Sequence, residues 1–208
     1  MQLQRLNSLL AASLVALAIV IPTASSAAGP EATVRVRGTV VARNGDQLEV
    51  KSREGNLVTI KLKQGWTANG VAKAAISDIK QGDYVGIASL PKAQGGDGAL
   101  EVLIFPSAMK GMGEGSFGWD LKPESSMTNA TVSNAVKSID GSVVTVTYHG
   151  QEKKISIPLG TPVVTLTQAT PDDVKAGAVV FVSAERGADG NLSSGRLVVS
   201  KDGVVPPM

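Results

Sequence analysis

Apolar and polar residues alternate along much of this chain, and the alternation predicts β-strands. In one stretch the apolar residues Val58, Ile60 and Leu62 are separated by the polar residues Thr59 and Lys61. Because successive side chains of a strand point to opposite faces, this pattern places one face on a core and the other in water. Similar runs recur with turn residues between them, so we predict an all-β fold of short antiparallel strands.

The strand pattern occurs twice. Residues 33–106 reappear in order as residues 129–203, and residues 58–105 superimpose on the second copy without a gap at an offset of 95. This offset lays Asp-Ile-Lys-Gln-Gly at 78–82 on Asp-Val-Lys-Ala-Gly at 173–177. We therefore expect one small structural unit that is used twice.

Glycine dipeptides mark the strand reversals. Reversals are predicted at Asn44-Gly45, Glu54-Gly55, Asp140-Gly141 and His149-Gly150. The Asn-Gly and Asp-Gly pairs suit the two central positions of a type I′ hairpin turn, where both residues have positive φ. Gly38 aligns with Asn134 at an offset of 96, and both residue types accept left-handed backbone, so a bulge that bends the first strand is predicted there.

A short helical turn is predicted after the third strand of each copy. In the second copy Thr170 precedes Pro171 and two acidic residues, and Gly177 follows; residues 75–82 are a weaker counterpart. Each copy then has about five strands and one helical turn. This organisation predicts two tandem small antiparallel β-barrels of the OB or SH3-like kind, in which closure removes exposed edges. A single sandwich formed from both copies is the alternative.

The N-terminus has the features of a secretory leader. Arg5 precedes an apolar run at 9–21, which Pro22 and a small-residue stretch end well short of a membrane-spanning length. We expect residues 1–28 to be a cleaved signal peptide, with no membrane span afterwards and a periplasmic or secreted location. The predicted divisions are the leader, 1–28, a first OB-like repeat, 29–106, a connecting segment, 107–128, and a second OB-like repeat with a short tail, 129–208.

Composition narrows the chemistry. The chain has no cysteine, so it can use neither disulfides nor thiolate ligands. Because Arg5 lies in the leader, 19 basic and 18 acidic residues remain, with both signs interspersed. A nucleic-acid partner is not expected, since it would need a basic surface. No constellation of reactive side chains is apparent, so we expect no catalytic residues, no enzymatic activity and no cofactor.

The chain resembles a family of exported bacterial proteins with tandem OB-like domains, known as a domain of unknown function. The resemblance rests on the repeat, on Ile-Phe-Pro-Ser-Ala-Met-Lys-Gly-Met-Gly-Glu-Gly at 104–115 with Trp119-Asp120, on Met-Thr-Asn-Ala-Thr at 127–131, and on the closing residues 201–208. It implies a location in the bacterial envelope and no established activity. A histidine often follows Gly-Glu-Gly in that family, whereas this chain has Ser116.

The connecting segment, 107–128, has no counterpart in the repeat, and we call it the clasp. It holds Phe117 and Trp119, two of the seven aromatic residues, whereas a flexible spacer is poor in large side chains. The favoured interpretation is that both aromatics pack over the open end of a barrel. The alternative is a ligand site in which Glu114, Phe117, Trp119 and Asp120 line a pocket.

Met109 and Met112 raise a metal-binding possibility. Thioethers are soft ligands that can select Cu(I), although methionine more often fills gaps in packing. Our first hypothesis is a non-enzymatic binding or scaffold module of the envelope that recognises a protein or glycan partner. The alternative is a soft-metal (cuprous) carrier that uses these two methionines.

Overall fold

The computed structural model describes residues 32–138 and 141–206, and the predicted leader and Asp140 lie outside these ranges. No helix in the described ranges is long and apolar enough to cross a membrane. The described residues form three short 3-10 turns, Ile76–Asp78, Ser107–Met109 and Pro171–Asp173. Their strands are β1 Ala32–Asn44, β2 Gln47–Ser52, β3 Leu57–Lys73, β4 Tyr84–Pro91, β5 Asp97–Ile104, β6 Gly115–Gly118, β7 Ser126–Ser138, β8 Gly141–Tyr148, β9 Gln151–Pro158, β10 Val163–Gln168, β11 Val179–Arg186 and β12 Leu192–Val199.

Five strands close the first ring, which is a small β-barrel. The pairing order is β1–β2–β3–β12–β11 and back to β1, and the β3–β12 pair is parallel while the other pairs are antiparallel. Every second residue of these strands points inward, so the interior is filled by aliphatic side chains. They include the fully buried Leu48, Val50, Ile60, Val182 and Val199.

A second circuit of pairings, the second ring, runs β5–β4–β7–β8–β9 and returns to β5. Two parallel residue pairs, Asp97 with Ile155 and Gly98 with Ser156, complete it. Its interior is a separate aliphatic cluster, which includes Val85, Ile87, Val102, Val144, Ile155 and Ile157. The β6 strand of the clasp pairs with β7 beside this ring.

The prediction of an all-β chain is confirmed, but that of two tandem barrels, one from each copy, is not. The first ring combines β1, β2 and β3 of the first copy with β11 and β12 of the second, and the second ring combines β4 and β5 with β7, β8 and β9. The physical reason is the length of β3. It spans 17 residues, with a register shift against β12 between Leu62 and Thr67, pairs with β2 at its start and with β10 at its end, and so carries the chain out of the first ring before β4 begins.

A third, smaller cluster joins the two rings. The β10 strand lies between β3 and β5, antiparallel to β3 and parallel to β5. Val71, Leu103, Val164 and Leu166 are buried there. The two rings therefore have separate interiors and a shared apolar seam.

The predicted bulges form, but the one in the first copy is displaced. In β1 the register shifts between Val40 and Ala42, so the placement at Gly38 is wrong. In β7 the shift lies between Val132 and Asn134, beside the predicted position.

Gly38 has a different role, which is close backbone packing. A Cβ atom at this position would lie 2.1 Å from the carbonyl oxygen of Lys51 on β2. Gly38 pairs with Val180, whereas Ala130 pairs with Val85. Since Val85 and Val180 are separated by 95 positions, Ala130 is the counterpart of Gly38, and the offset between β1 and β7 is 92 rather than 96.

Some of the predicted turn geometries are confirmed and one is wrong. At Asn44-Gly45 only the glycine has positive φ, so the predicted type I′ geometry is wrong there. His149 and Gly150 both have positive φ, 46° and 74°, as that turn requires. The helical turns are confirmed as 3-10 turns, in which the carboxylates of Asp78 and Asp173 accept hydrogen bonds from the backbone N–H of the residue before each turn.

Candidate functional site

The clasp lies against both rings. Its β6 strand forms antiparallel pairs with β7 of the second ring, including Ser116 with Thr128 and Phe117 with Met127. Immediately after β6 the backbone N–H of Trp119 donates a hydrogen bond of 2.8 Å to the carbonyl of Ser125, which closes the clasp into a tight loop. This loop places Trp119 and Asp120 on the outer face of the first ring.

Trp119 is half-buried among cations and aromatic rings. The guanidinium of Arg35 lies 4.1 Å from the indole centroid, and that of Arg37 lies 5.3 Å from it. The ring centroids of Phe181 and Phe117 are 6.0 and 6.1 Å away. Cation–π and aromatic contacts of this kind each contribute about 0.5–1.5 kcal/mol, so the indole is held firmly in place.

Asp120 forms ion pairs with the same two arginines. Its Oδ1 accepts a hydrogen bond of 2.7 Å from Nη2 of Arg37 and lies 3.9 Å from Nη1 of Arg35. Burial raises the pKa of Asp120, but the hydrogen bond and charge of Arg37 and the charge of Arg35 lower it by more. The pKa therefore lies below its ordinary value. The carboxylate is therefore ionised at neutral pH.

Glu101 of β5 lies beneath this group and is only 5% exposed. Burial raises the pKa of its carboxyl to about 8, against the opposing charges of Arg37 and Arg53 and the nearby indole N–H of Trp119. Glu101 Oε1, Trp119 Nε1 and Arg37 Nε are buried without a hydrogen-bond partner in the described structure. The indole N–H therefore lies near the carboxyl without full hydrogen-bond geometry. Because the pKa of Glu101 is raised to about 8, its carboxyl is largely protonated at neutral pH.

Glu114, the fourth residue of the predicted pocket, lies elsewhere. Its Oε1 accepts a hydrogen bond of 3.0 Å from the backbone N–H of His149, and its carbonyl oxygen is 3.1 Å from Nε2 of that histidine. It therefore fixes the turn between β8 and β9. The structure brings Phe117, Trp119 and Asp120 together and leaves Glu114 out of the group.

The two methionines have different surroundings. Met109 packs against the apolar seam between the rings. Met112 is exposed, and its Sδ lies 3.5 Å from Nη1 of Arg196, a cation that opposes binding of a metal cation. The cuprous hypothesis stays a prediction.

The partners of the clasp were missed at the sequence level. Arg35, Arg37 and Phe181 lie on paired strands of the first ring, and Glu101 lies on a strand of the second. One signal was available for Glu101, since it is a lone acidic residue in an apolar run, 99–105. Nothing in the order of residues links it to Trp119.

Comparison with protein-family models, with curated proteins and with solved structures found no match for this chain.

Proposed function

We propose that this protein is a non-enzymatic binding or scaffold module, exported to the bacterial envelope, that recognises a protein or glycan partner. In this proposal the two rings are two small barrels of the OB or SH3-like kind. They serve as a rigid base, and the clasp carries the recognition surface.

The observation that carries the proposal is the setting of Phe117. The residue is 40% exposed, although it lies beside the indole of Trp119. Aromatic and arginine side chains held in place before binding are typical anchors of interfaces, because little conformational freedom is lost when the partner arrives. Arg35, stacked on Trp119 and partly exposed, supplies the polar rim of the surface.

The test is capture of partners from an envelope extract, together with binding to an array of envelope glycans. Wild-type protein is compared with Phe117→Ser and with a matched control, Leu159→Ser, which removes an exposed apolar side chain from a turn of the second ring. We expect Phe117→Ser to lose the partner and Leu159→Ser to keep it. Equal retention by both variants, with unchanged unfolding curves, would remove the clasp as the recognition surface.

A further inference from the structure

One end of the second ring has a polar interior. Alternate residues of β4, β5, β7 and β9 point into this ring, and for most of its length they are aliphatic. At the end beside the clasp the inward positions are instead occupied by five polar side chains. These are Ser89, Asp97, Ser126, Thr128 and Lys153, and we call them the polar layer.

The polar layer is a connected network. Lys153 Nζ lies 2.7 Å from Oδ2 of Asp97 and donates hydrogen bonds of 3.2 and 3.3 Å to the hydroxyls of Ser126 and Thr128. Ser89 Oγ donates to the same carboxylate oxygen at 2.8 Å. Burial raises the pKa of Asp97, but the hydrogen bonds from Lys153 and Ser89 and the charge of Lys153 bring it below the ordinary value. The Asp97 carboxylate is therefore ionised at neutral pH.

The first ring shows that the fold does not require this network. The established offsets, 95 for β4, β5 and β9 and 92 for β7, identify the counterparts of the polar layer. They are all apolar: Ala184, Leu192, Val34, Val36 and Val58. Because buried ion pairs are a weak source of stability compared with well-packed aliphatic groups, five polar substitutions at one end of one ring indicate a purpose other than folding.

This end of the second ring is partly open to solvent. In the first ring, the equivalent end is a groove of about 410 Å³ whose lining includes Val34, Val36, Val58 and Leu192. In the second ring, Gly118 of the clasp pairs with Ser126, and a Cβ atom at Gly118 would meet nothing within 4 Å. Lys153 and Asp97 keep 21% and 15% of their side-chain exposure. The charged pair is therefore partly accessible from solvent.

The chemistry of the polar layer selects a neutral ligand. The charges of Asp97 and Lys153 cancel. An anionic ligand would be repelled by the carboxylate, and a cationic ligand would be repelled by the ammonium. Asp97 Oδ1 accepts no hydrogen bond from the described residues, and the Ser126 hydroxyl and the hydroxyl of Ser116, 3.0 Å from that of Thr128, add further donors and acceptors.

We infer that the polar layer is a second binding site, which takes a neutral, hydroxyl-rich group such as the terminal sugar of an oligosaccharide. Carboxylate, ammonium and hydroxyl groups can together satisfy the donors and acceptors of adjacent sugar hydroxyls. The site lies on the opposite face of β6 from Phe117, since neighbouring residues of a strand point to opposite sides. It is therefore independent of the proposed recognition surface.

The test replaces the charged pair of the polar layer with its two apolar counterparts from the first ring. In Asp97→Leu/Lys153→Val both charged residues are replaced by their own counterparts, so no unpaired charge remains and the ring keeps its aliphatic packing. The probes are cellobiose, maltose and chitobiose at millimolar concentration, with sodium acetate and ethylammonium as charged controls. Binding is followed by the backbone amide NMR shifts of Ser89, Asp97, Ser126 and Thr128.

We expect at least one of the three disaccharides to shift these amides in the wild type, and the affinity to fall roughly tenfold to a hundredfold in the double variant, as expected for loss of hydrogen bonds to charged groups. The matched control, Lys201→Met/Asp173→Asn, removes a comparable ion pair outside the second ring and should leave binding unchanged. No shift with any of the sugars, or equal binding by the folded double variant, would overturn the inference. Phe117→Ser should bind the sugar normally, which separates this site from the clasp.

Discussion

Val71 of β3 lies directly opposite Leu166 of β10, and the two residues are counterparts in the repeat. Their antiparallel pairing places a local two-fold axis between them. The same symmetry relates the parallel pair of Leu103 and Val164 to that of Val198 and Asn69. The chain thus has the arrangement of a two-fold dimer of a single copy, in which each three-stranded meander is closed by the two-stranded hairpin of the other copy.

This closing of each meander by the hairpin of the other copy, which we call the exchange, predicts that neither copy folds alone as a monomer. Separately produced fragments 29–106 and 107–208 should be unfolded or self-associated, because each lacks the partner strands of both rings. Mixing them should restore a one-to-one complex with the circular dichroism spectrum of the intact chain. Light scattering with size-exclusion chromatography measures this, and a folded monomeric fragment would contradict the exchange.

Local features of the fold were predictable, and the exchange was not. Alternation at Val58, Ile60 and Leu62 correctly indicates which face is buried, and the cap at Thr170 correctly indicates a helical turn. Pairing within a copy and pairing between copies bury the same faces, however, so the alternation is equally consistent with both. The choice depends on the path of β3, whose end pairs with β10 of the second copy, and only the three-dimensional structure reveals this path.

The candidate site was predictable only in its aromatic half. Large side chains in a glycine-rich segment identify Phe117 and Trp119. Arg37 and Glu101 lie on strands from different rings, and their approach to Trp119 follows from the exchange rather than from spacing along the chain.

Gly38 should not tolerate a side chain. In Gly38→Ala the added Cβ would lie 2.1 Å from the carbonyl oxygen of Lys51, so β1 and β2 would have to separate. We expect a loss of about 3 kcal/mol or more in the free energy of unfolding, at the upper end of what single substitutions cost. Gly118→Ala is the matched control, since its Cβ meets nothing within 4 Å and should change stability by less than about 1 kcal/mol. Urea unfolding measures both variants, and equal stability would show that β2 does not approach as closely as described.

Trp119 should stabilise the junction of the clasp and the first ring. Trp119→Ala removes the stacking surface of Arg35 and Phe181, and because the indole is half-buried we expect a cost of about 2 kcal/mol, below the range for fully buried aromatics. Trp66, also half-buried and 5.7 Å from the guanidinium of Arg43, is the matched control. Trp66→Ala should lower stability while leaving partner binding intact, whereas Trp119→Ala should lower both. Chemical denaturation and partner capture together separate these outcomes.

Glu101 should make stability depend on pH in the neutral range. Burial raises the pKa of its carboxyl from 4.5 to about 8 in the folded state. Between these values the folded protein binds a proton that the unfolded chain has lost, so the free energy of unfolding falls as pH rises. The stabilisation is fully present below about pH 4.5 and is lost as pH rises through about 8, with an upper bound on the order of 5 kcal/mol.

Glu101→Gln isolates this effect, because the amide cannot ionise. The variant should show a much flatter profile from about pH 5 to about pH 8 and exceed the wild type in stability at the alkaline end. Asp97 and Asp120 have lowered pKa values and act in the opposite sense, since their stabilisation is present above the ordinary aspartate pKa and is lost on acidification below it. Urea unfolding of both proteins across this range is the measurement. Parallel profiles for the two proteins would show that Glu101 is ionised in the folded state, and that the cations around Trp119 outweigh the effect of burial.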